Sequence, residues 1–138
     1  MDYNFYQIIF GLFLAMFLPQ TIKIIVETIK KKRFSFSYFF LDGGMPSSHS
    51  SFVSALTMGI FLTQGLAPIT LVTLAISAVF IRDAYGLRME VGKQKKVLER
   101  LSPIEAEIEN LKRQGHTALQ VIAGILFGFL IMWLTLSL

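Results

Sequence analysis

The chain contains no cysteine, so a disulfide framework and a thiolate metal site are both excluded, and nothing in it reports a redox compartment. Charge is scarce. Only 16% of the 138 residues are Asp, Glu, Lys or Arg, against 54% hydrophobic, and that balance excludes an ordinary soluble domain of this size. The opening residues Met1-Asp2-Tyr3-Asn4 carry no basic residue ahead of the first apolar run, so no cleavable secretory leader is expected. Histidine is rarer still: His49 and His116 are the two. Together with scattered aspartates they do not make a convincing metal set. With neither an internal repeat nor a low-complexity linker, residues 1–138 are read as a single domain.

What the chain does have is long apolar stretches. Four of them, at about 6–22, 50–66, 68–81 and 117–138, approach the roughly 20 residues that a spanning helix needs. The first is interrupted only near its end by Pro19-Gln20. Thr63-Gln64-Gly65-Leu66-Ala67-Pro68 reads as a tight turn, with Pro68 suited to the first position of the next helix. Residues 34–41 are apolar too, but eight residues cannot span, so an interfacial or re-entrant piece is expected there.

Basic residues are as informative by where they are missing. All 13 Lys and Arg lie within 23–33 and 82–113. The positive-inside rule places both stretches in the cytoplasm. Four spans then alternate without conflict, with both termini outside and 23–49 and 82–116 inside. A net charge of +4 is explained by this topology and by anionic headgroups, so no nucleic-acid partner is expected. Within the second stretch, Ser102-Pro103-Ile104-Glu105 is a capping box with Pro at the first helical position. Ile104, Ile108 and Leu111 give that helix one apolar stripe. Residues 87–101 form a weaker amphipathic segment before it. The expected fold is all-α: an integral membrane helical bundle of about four spans with a cytoplasmic amphipathic helix.

Three polar clusters fall at the cytoplasmic ends of spans: Gly43-Gly44-Met45-Pro46-Ser47-Ser48-His49-Ser50, the stretch from Arg82 to Arg88, and Gly115-His116. Lys23, one turn after Gln20, joins them at that level. Basic residues at span ends can simply snorkel, which accounts for Lys30 to Arg33. It accounts less well for two histidines. A helix N-terminus offers unpaired N–H groups to an anion, and His, Ser, Lys and Arg converging at one depth suit phosphoryl transfer. His116, Gln120 and Gly124 recur at intervals of four on one helix face, so Gln120 can accept from one ring nitrogen of His116 and aim the other. Gly124 and Gly128 form a GxxxG packing face.

The octet resembles the second signature, Pro-Ser-Gly-His-Ser, of the type 2 phosphatidic acid phosphatase superfamily. Gly115-His116-Thr117 with Gln120 resembles its third. The first signature, a Lys followed by Arg-Pro, is absent, and Gln120 stands where the third has Asp. A Gln-x-x-Lys, then Gly-Gly-Met-Pro-Ser-Ser-His-Ser, then Asp83-Ala84-Tyr85-Gly86-Leu87-Arg88, then Gly-His-Thr looks like the divergent branch of that superfamily, over about residues 16–130. The resemblance implies a PAP2-like core. It also implies His116 as nucleophile and His49 as general acid. Ser47 and the N–H of Ser48 would hold phosphoryl oxygens, with Lys23 a looser match to a phosphate-binding lysine. Ser48 stands where the superfamily has Gly, which is tolerated unless the backbone there needs a positive φ. Chemistry alone suggests Arg88 for the missing arginine. Asp83 either orients Arg88 or a histidine, or makes a structural salt bridge.

The scheme calls for no cofactor and no metal. The function it implies is hydrolysis of lipid phosphates (phosphatidylglycerophosphate, phosphatidate or a prenyl (di)phosphate) through a phosphohistidine, in an inner or plasma membrane with the site facing the cytoplasm. The alternative is a non-catalytic lipid- or phosphate-binding membrane protein, a transport or assembly subunit. Expected partners are the lipid phosphate substrate and membrane lipids. Short spans with a glycine face leave surface for a homodimer.

Overall fold

The computed structural model describes residues 5–36, 38, 44–101 and 117–138, with side-chain surroundings for all of these except 87–89, 91–93, 95–96 and 98–101. They form four helices: α1 (Phe5–Lys31), α2 (Ser48–Gln64), α3 (Pro68–Leu101) and α4 (Ala118–Ser137). Among the described residues there is no strand.

Three helical stretches are long and apolar enough to cross a bilayer: α1, the Pro68–Gly86 part of α3, and α4. The helix α2 differs from them. Its 17 residues reach about 25 Å at 1.5 Å per residue, short of a hydrocarbon core of about 30 Å. It lies at the centre and packs against all three others.

Burial is inverted relative to a soluble protein. Lys23, Ser47, Ser50, Ser51, Ser54, Thr57, Thr73 and Ser77 are buried, while Phe10, Phe13, Leu71, Leu126 and Trp133 are exposed. Lipid tails are as apolar as leucine, so helices in a bilayer associate through small residues, close packing and interhelical hydrogen bonds. Between α2 and α3, Thr57 Oγ1 lies 2.8 Å from Ser77 Oγ, and each oxygen stands 3.0 Å from Val53 O, so the two hydroxyl protons are shared among three contacts. Between α2 and α4 the glycines decide the approach. A Cβ on Gly124 would come within 2.6 Å of Ser47 O, and one on Gly128 would collide with the Ser51 backbone. At the far end Met132 packs against Gly11 and Gly59, and forms an apolar core with Ala15, Ala55 and Leu136.

The chain reverses between α2 and α3 as its turn residues dictate. Gly65 takes φ 65°, its N–H bonds to Phe61 O at 2.9 Å, and Thr70 Oγ1 donates to Gly65 O at 2.7 Å. Pro68 then opens α3. These contacts make α1 and α3 antiparallel to α2, and α4 parallel to it, so successive helices alternate in direction.

Two expectations are corrected. Helix α1 does not break at Pro19-Gln20 but runs through to Lys31, with Pro19 buried inside it. A proline frees one carbonyl, here that of Ala15, and membrane helices tolerate this because their neighbours re-satisfy the backbone. Helix α3 does not stop near 81. It continues for 34 residues, about 51 Å, so the third apolar stretch and the segment 87–101 are one helix. The change of composition at Arg82 marks a change of solvent along an unbroken backbone. The capping box at 102–105 and its helix lie outside the described residues, as do 37 and 39–41. Within 34–41, Tyr38 is buried, its N–H bonds to Ser35 O at 3.0 Å, and the Lys31 ammonium stands 5.2 Å from its ring centroid.

Candidate functional site

The N-terminus of α2 is where the polar residues meet. Ser47 is the N-cap, with extended backbone (φ −69°, ψ 118°), and its Oγ accepts from the N–H and the hydroxyl of Ser50 at 3.4 and 3.0 Å. Its own N–H donates to Gln120 O at 3.2 Å, tying the start of α2 to the first turn of α4. Ser47 is fully enclosed. Its hydroxyl therefore caps the helix.

Ser48, the first residue of α2, is in a different position. It is half-buried, and its N–H has no acceptor among the described residues. Among those residues the positive φ of a non-glycine belongs to Lys32, so Ser48 fills the superfamily's glycine position without backbone strain. Its Oγ accepts from Lys23 Nζ at 2.9 Å and donates to Gln20 Oε1 at 3.4 Å.

Lys23 is brought there by the helical run of α1 past Pro19. Its side chain is 5% exposed, and Nζ also donates to Gln20 Oε1 at 3.2 Å. Gln20 in turn donates from Nε2 to Tyr38 O at 3.5 Å. Gly44, at φ 96°, lies against the lysine stem, its would-be Cβ 3.4 Å from Cγ and Cδ. A lysine this enclosed is rare, because burial penalises the charged form. Gln20 is read from sequence as part of the Gln-x-x-Lys element without a role of its own, although its i, i+3 spacing on a helix brings it to Lys23.

On α4, Thr117 and Gln120 form a reciprocal capping box: Gln120 N–H donates to Thr117 Oγ1 at 3.3 Å and Thr117 N–H to Gln120 Oε1 at 3.0 Å. The side chain expected to orient His116 thus has a structural partner on its acceptor oxygen. His116 itself lies outside the described residues. His49, the second residue of α2, is exposed.

On α3, Arg82 and Asp83 are exposed, and Asp83 makes no ion pair among the described residues. Arg88 lies on the helix backbone, outside the described side chains. The Thr57–Ser77 contact sets the register between antiparallel helices. Ser48 is nine residues before Thr57 and Arg88 eleven after Ser77, about 14 and 16 Å along the axes. Arg88 is therefore level with the α2 N-terminus. Among the described residues, no group of His, Asp and Glu could hold a metal ion.

The chain matches the family model described as "Divergent PAP2 family" over residues 6–131. It is 33% identical to YuiD of Bacillus subtilis (strain 168), named an uncharacterized membrane protein, with 85% of each chain covered. No solved structure matches it.

Proposed function

The chain belongs to the divergent PAP2 family, and from that premise we propose that this membrane protein is a lipid phosphate phosphatase working from the cytoplasmic face. The observation that carries the reading is Lys23, a nearly enclosed ammonium 2.9 Å from the hydroxyl of Ser48 at a helix N-terminus. A fixed cation, a hydroxyl and a helical N–H with no acceptor among the described residues make a receptor for a tetrahedral anion whose charge grows in the transition state.

In this scheme the imidazole of His116, adjacent in sequence to the N-cap Thr117, attacks phosphorus. The P–O bond to the lipid breaks as His49 gives its proton to the departing oxygen. Water then attacks the phosphohistidine, returning the imidazole and inorganic phosphate. Ser48 and Lys23 hold the phosphoryl oxygens, and Arg88, level with them, supplies the guanidinium that the family pattern otherwise lacks. Confinement of Lys and Arg to 23–33 and 82–113 supports cytoplasmic facing, which favours lipid phosphates made on that side.

One observation favours the second reading, a binding protein without turnover: Gln120 spends its acceptor on Thr117 where a hydrolase would use a carboxylate to orient the imidazole. Purified protein in mixed micelles with phosphatidate or phosphatidylglycerophosphate separates the two. The phosphatase releases inorganic phosphate and His116→Ala abolishes release, whereas a binding protein retains the lipid and releases none.

A further inference from the structure

Helices α3 and α4 both rest on α2 but scarcely touch each other. Between them runs a cavity of about 370 Å³, open on one side, walled by Leu74 and Ile81 of α3 and by Ile125 and Phe129 of α4. Its floor is α2. There Thr57 and Ser77 have spent their hydroxyls on one another and on Val53 O, so they present carbon to the groove. At one end stands Arg82.

We propose that this groove is a binding site for one hydrocarbon chain of an anionic phospholipid whose headgroup phosphate pairs with Arg82. The site is separate from the Lys23–Ser48 cluster, because Ser48 faces α1 whereas the groove lies on the α3 and α4 sides of α2.

Three features support this occupant. The groove lies within stretches apolar enough to cross the bilayer, so its open side faces acyl chains rather than water. Leu74 to Arg82 covers eight helical rises, about 12 Å, the length of one chain of roughly ten carbons. The third feature is charge. The uncharged part of α3 from Pro68 to Ile81 has 14 residues, about 21 Å, against a hydrocarbon thickness of about 30 Å. Arg82 is therefore drawn toward the hydrocarbon boundary, where a short span is accommodated by local thinning and snorkelling. A phosphate brought down beside it satisfies a guanidinium fork better than water alone, and a zwitterionic lipid offers that phosphate with its charge already neutralised.

The test uses the full-length protein reconstituted in vesicles containing phosphatidylglycerol or phosphatidylcholine, each carrying a photoreactive group midway along one acyl chain, with crosslinks mapped by mass spectrometry. Phosphatidylglycerol is expected to label Leu74, Ile125 and Phe129 in preference to the equally lipid-facing Phe13 and Trp133, and to do so about tenfold more than phosphatidylcholine, or about 1.4 kcal/mol of selectivity. Arg82→Gln should bring the two lipids to equal labelling. Ala78→Trp, which fills the groove from its α3 wall, should abolish the groove crosslinks, while Ala75→Trp on the exposed face of the same helix should not. Labelling spread evenly over all exposed apolar residues, or unchanged in Ala78→Trp, overturns the proposal. So does crosslinking of the groove positions to a second copy of the chain. Activity does not enter these readouts, so the groove and the phosphatase reading stand or fall independently.

Discussion

Two glycine-to-alanine substitutions that look equivalent in the sequence should move stability in opposite directions. Both Gly86 and Gly128 sit inside helices, and alanine is favoured there over glycine by about 0.8–1 kcal/mol. At Gly86 nothing lies within 4 Å of the added Cβ, so Gly86→Ala should stabilise by about 0.4–1 kcal/mol. At Gly128 the methyl would stand 2.8 Å from Ser51 C and 2.9 Å from its Cα, with the carbonyl oxygen closer still. Those are backbone atoms of the central helix, and no rotamer change clears them. The helices must part, and because the clash is with backbone the cost lies in the upper part of the overpacking range, about 2–3 kcal/mol, of which the propensity gain offsets half or less. Gly128→Ala should therefore destabilise by about 1–2 kcal/mol net, and the two variants should differ by about 2–3 kcal/mol. Reversible unfolding in mixed micelles, followed by far-ultraviolet circular dichroism, measures the difference. Amide exchange at Ser47, whose N–H reaches Gln120 O across the same contact, should speed up in Gly128→Ala alone. If Gly128→Ala proved as stable as Gly86→Ala, the close α2–α4 approach would be wrong, and with it the placement of the site between those helices.

Lys23→Met should lower phosphate release by at least about 100-fold, the loss typical of removing one preorganised donor to a developing oxyanion; a loss under about threefold would take Lys23 out of the site. Thr117→Ala removes the acceptor of the α4 capping box and should destabilise by about 1 kcal/mol, while Gln120→Glu, which keeps the box, should be near neutral in the same unfolding measurement. Because the chain has no native cysteine, single cysteines at 65 and 95 can be labelled without background; impermeant maleimide should reach them from opposite sides of the membrane, and labelling of both from one side would end the alternating four-helix topology.

The turn at Gly65 to Pro68 was legible because its residues act locally: a glycine takes a positive φ, and a proline lacks the N–H that a first helical position does not need. Pro19 was misleading for the same reason inverted, since the rule that proline ends helices assumes that water competes for the freed carbonyl. The end of α3 was hidden because hydrophobicity reports what surrounds a helix and not whether the backbone continues past Arg82. The capping box is written as Thr-x-x-Gln at 117–120, but Gln120 also stands four residues from His116 on the same helix face, and spacing does not choose between the two partners. The meeting of Lys23 with Ser48 joins residues 25 apart, and no spacing rule specifies it; the span map put them at one depth and the family pattern in one site, but neither gave the contact. The groove beside Arg82 was invisible from sequence, because it depends on two helices failing to touch.

The central position of α2 bears on how the protein is made. Among the described helices it is the shortest and the richest in hydroxyls, and its serine face is covered by α4, which leaves the ribosome after the other three. Until residues 118–137 are synthesised, Ser47, Ser50 and Ser51 have only lipid or the insertion machinery beside them, and serine gains little from lipid. Packing of the α2 serine face therefore waits until α4 has been made. Chains truncated before α4 should leave α2 poorly retained in the bilayer and exposed to quality-control proteases, even though every residue of the Lys23–Ser48 cluster has already been made.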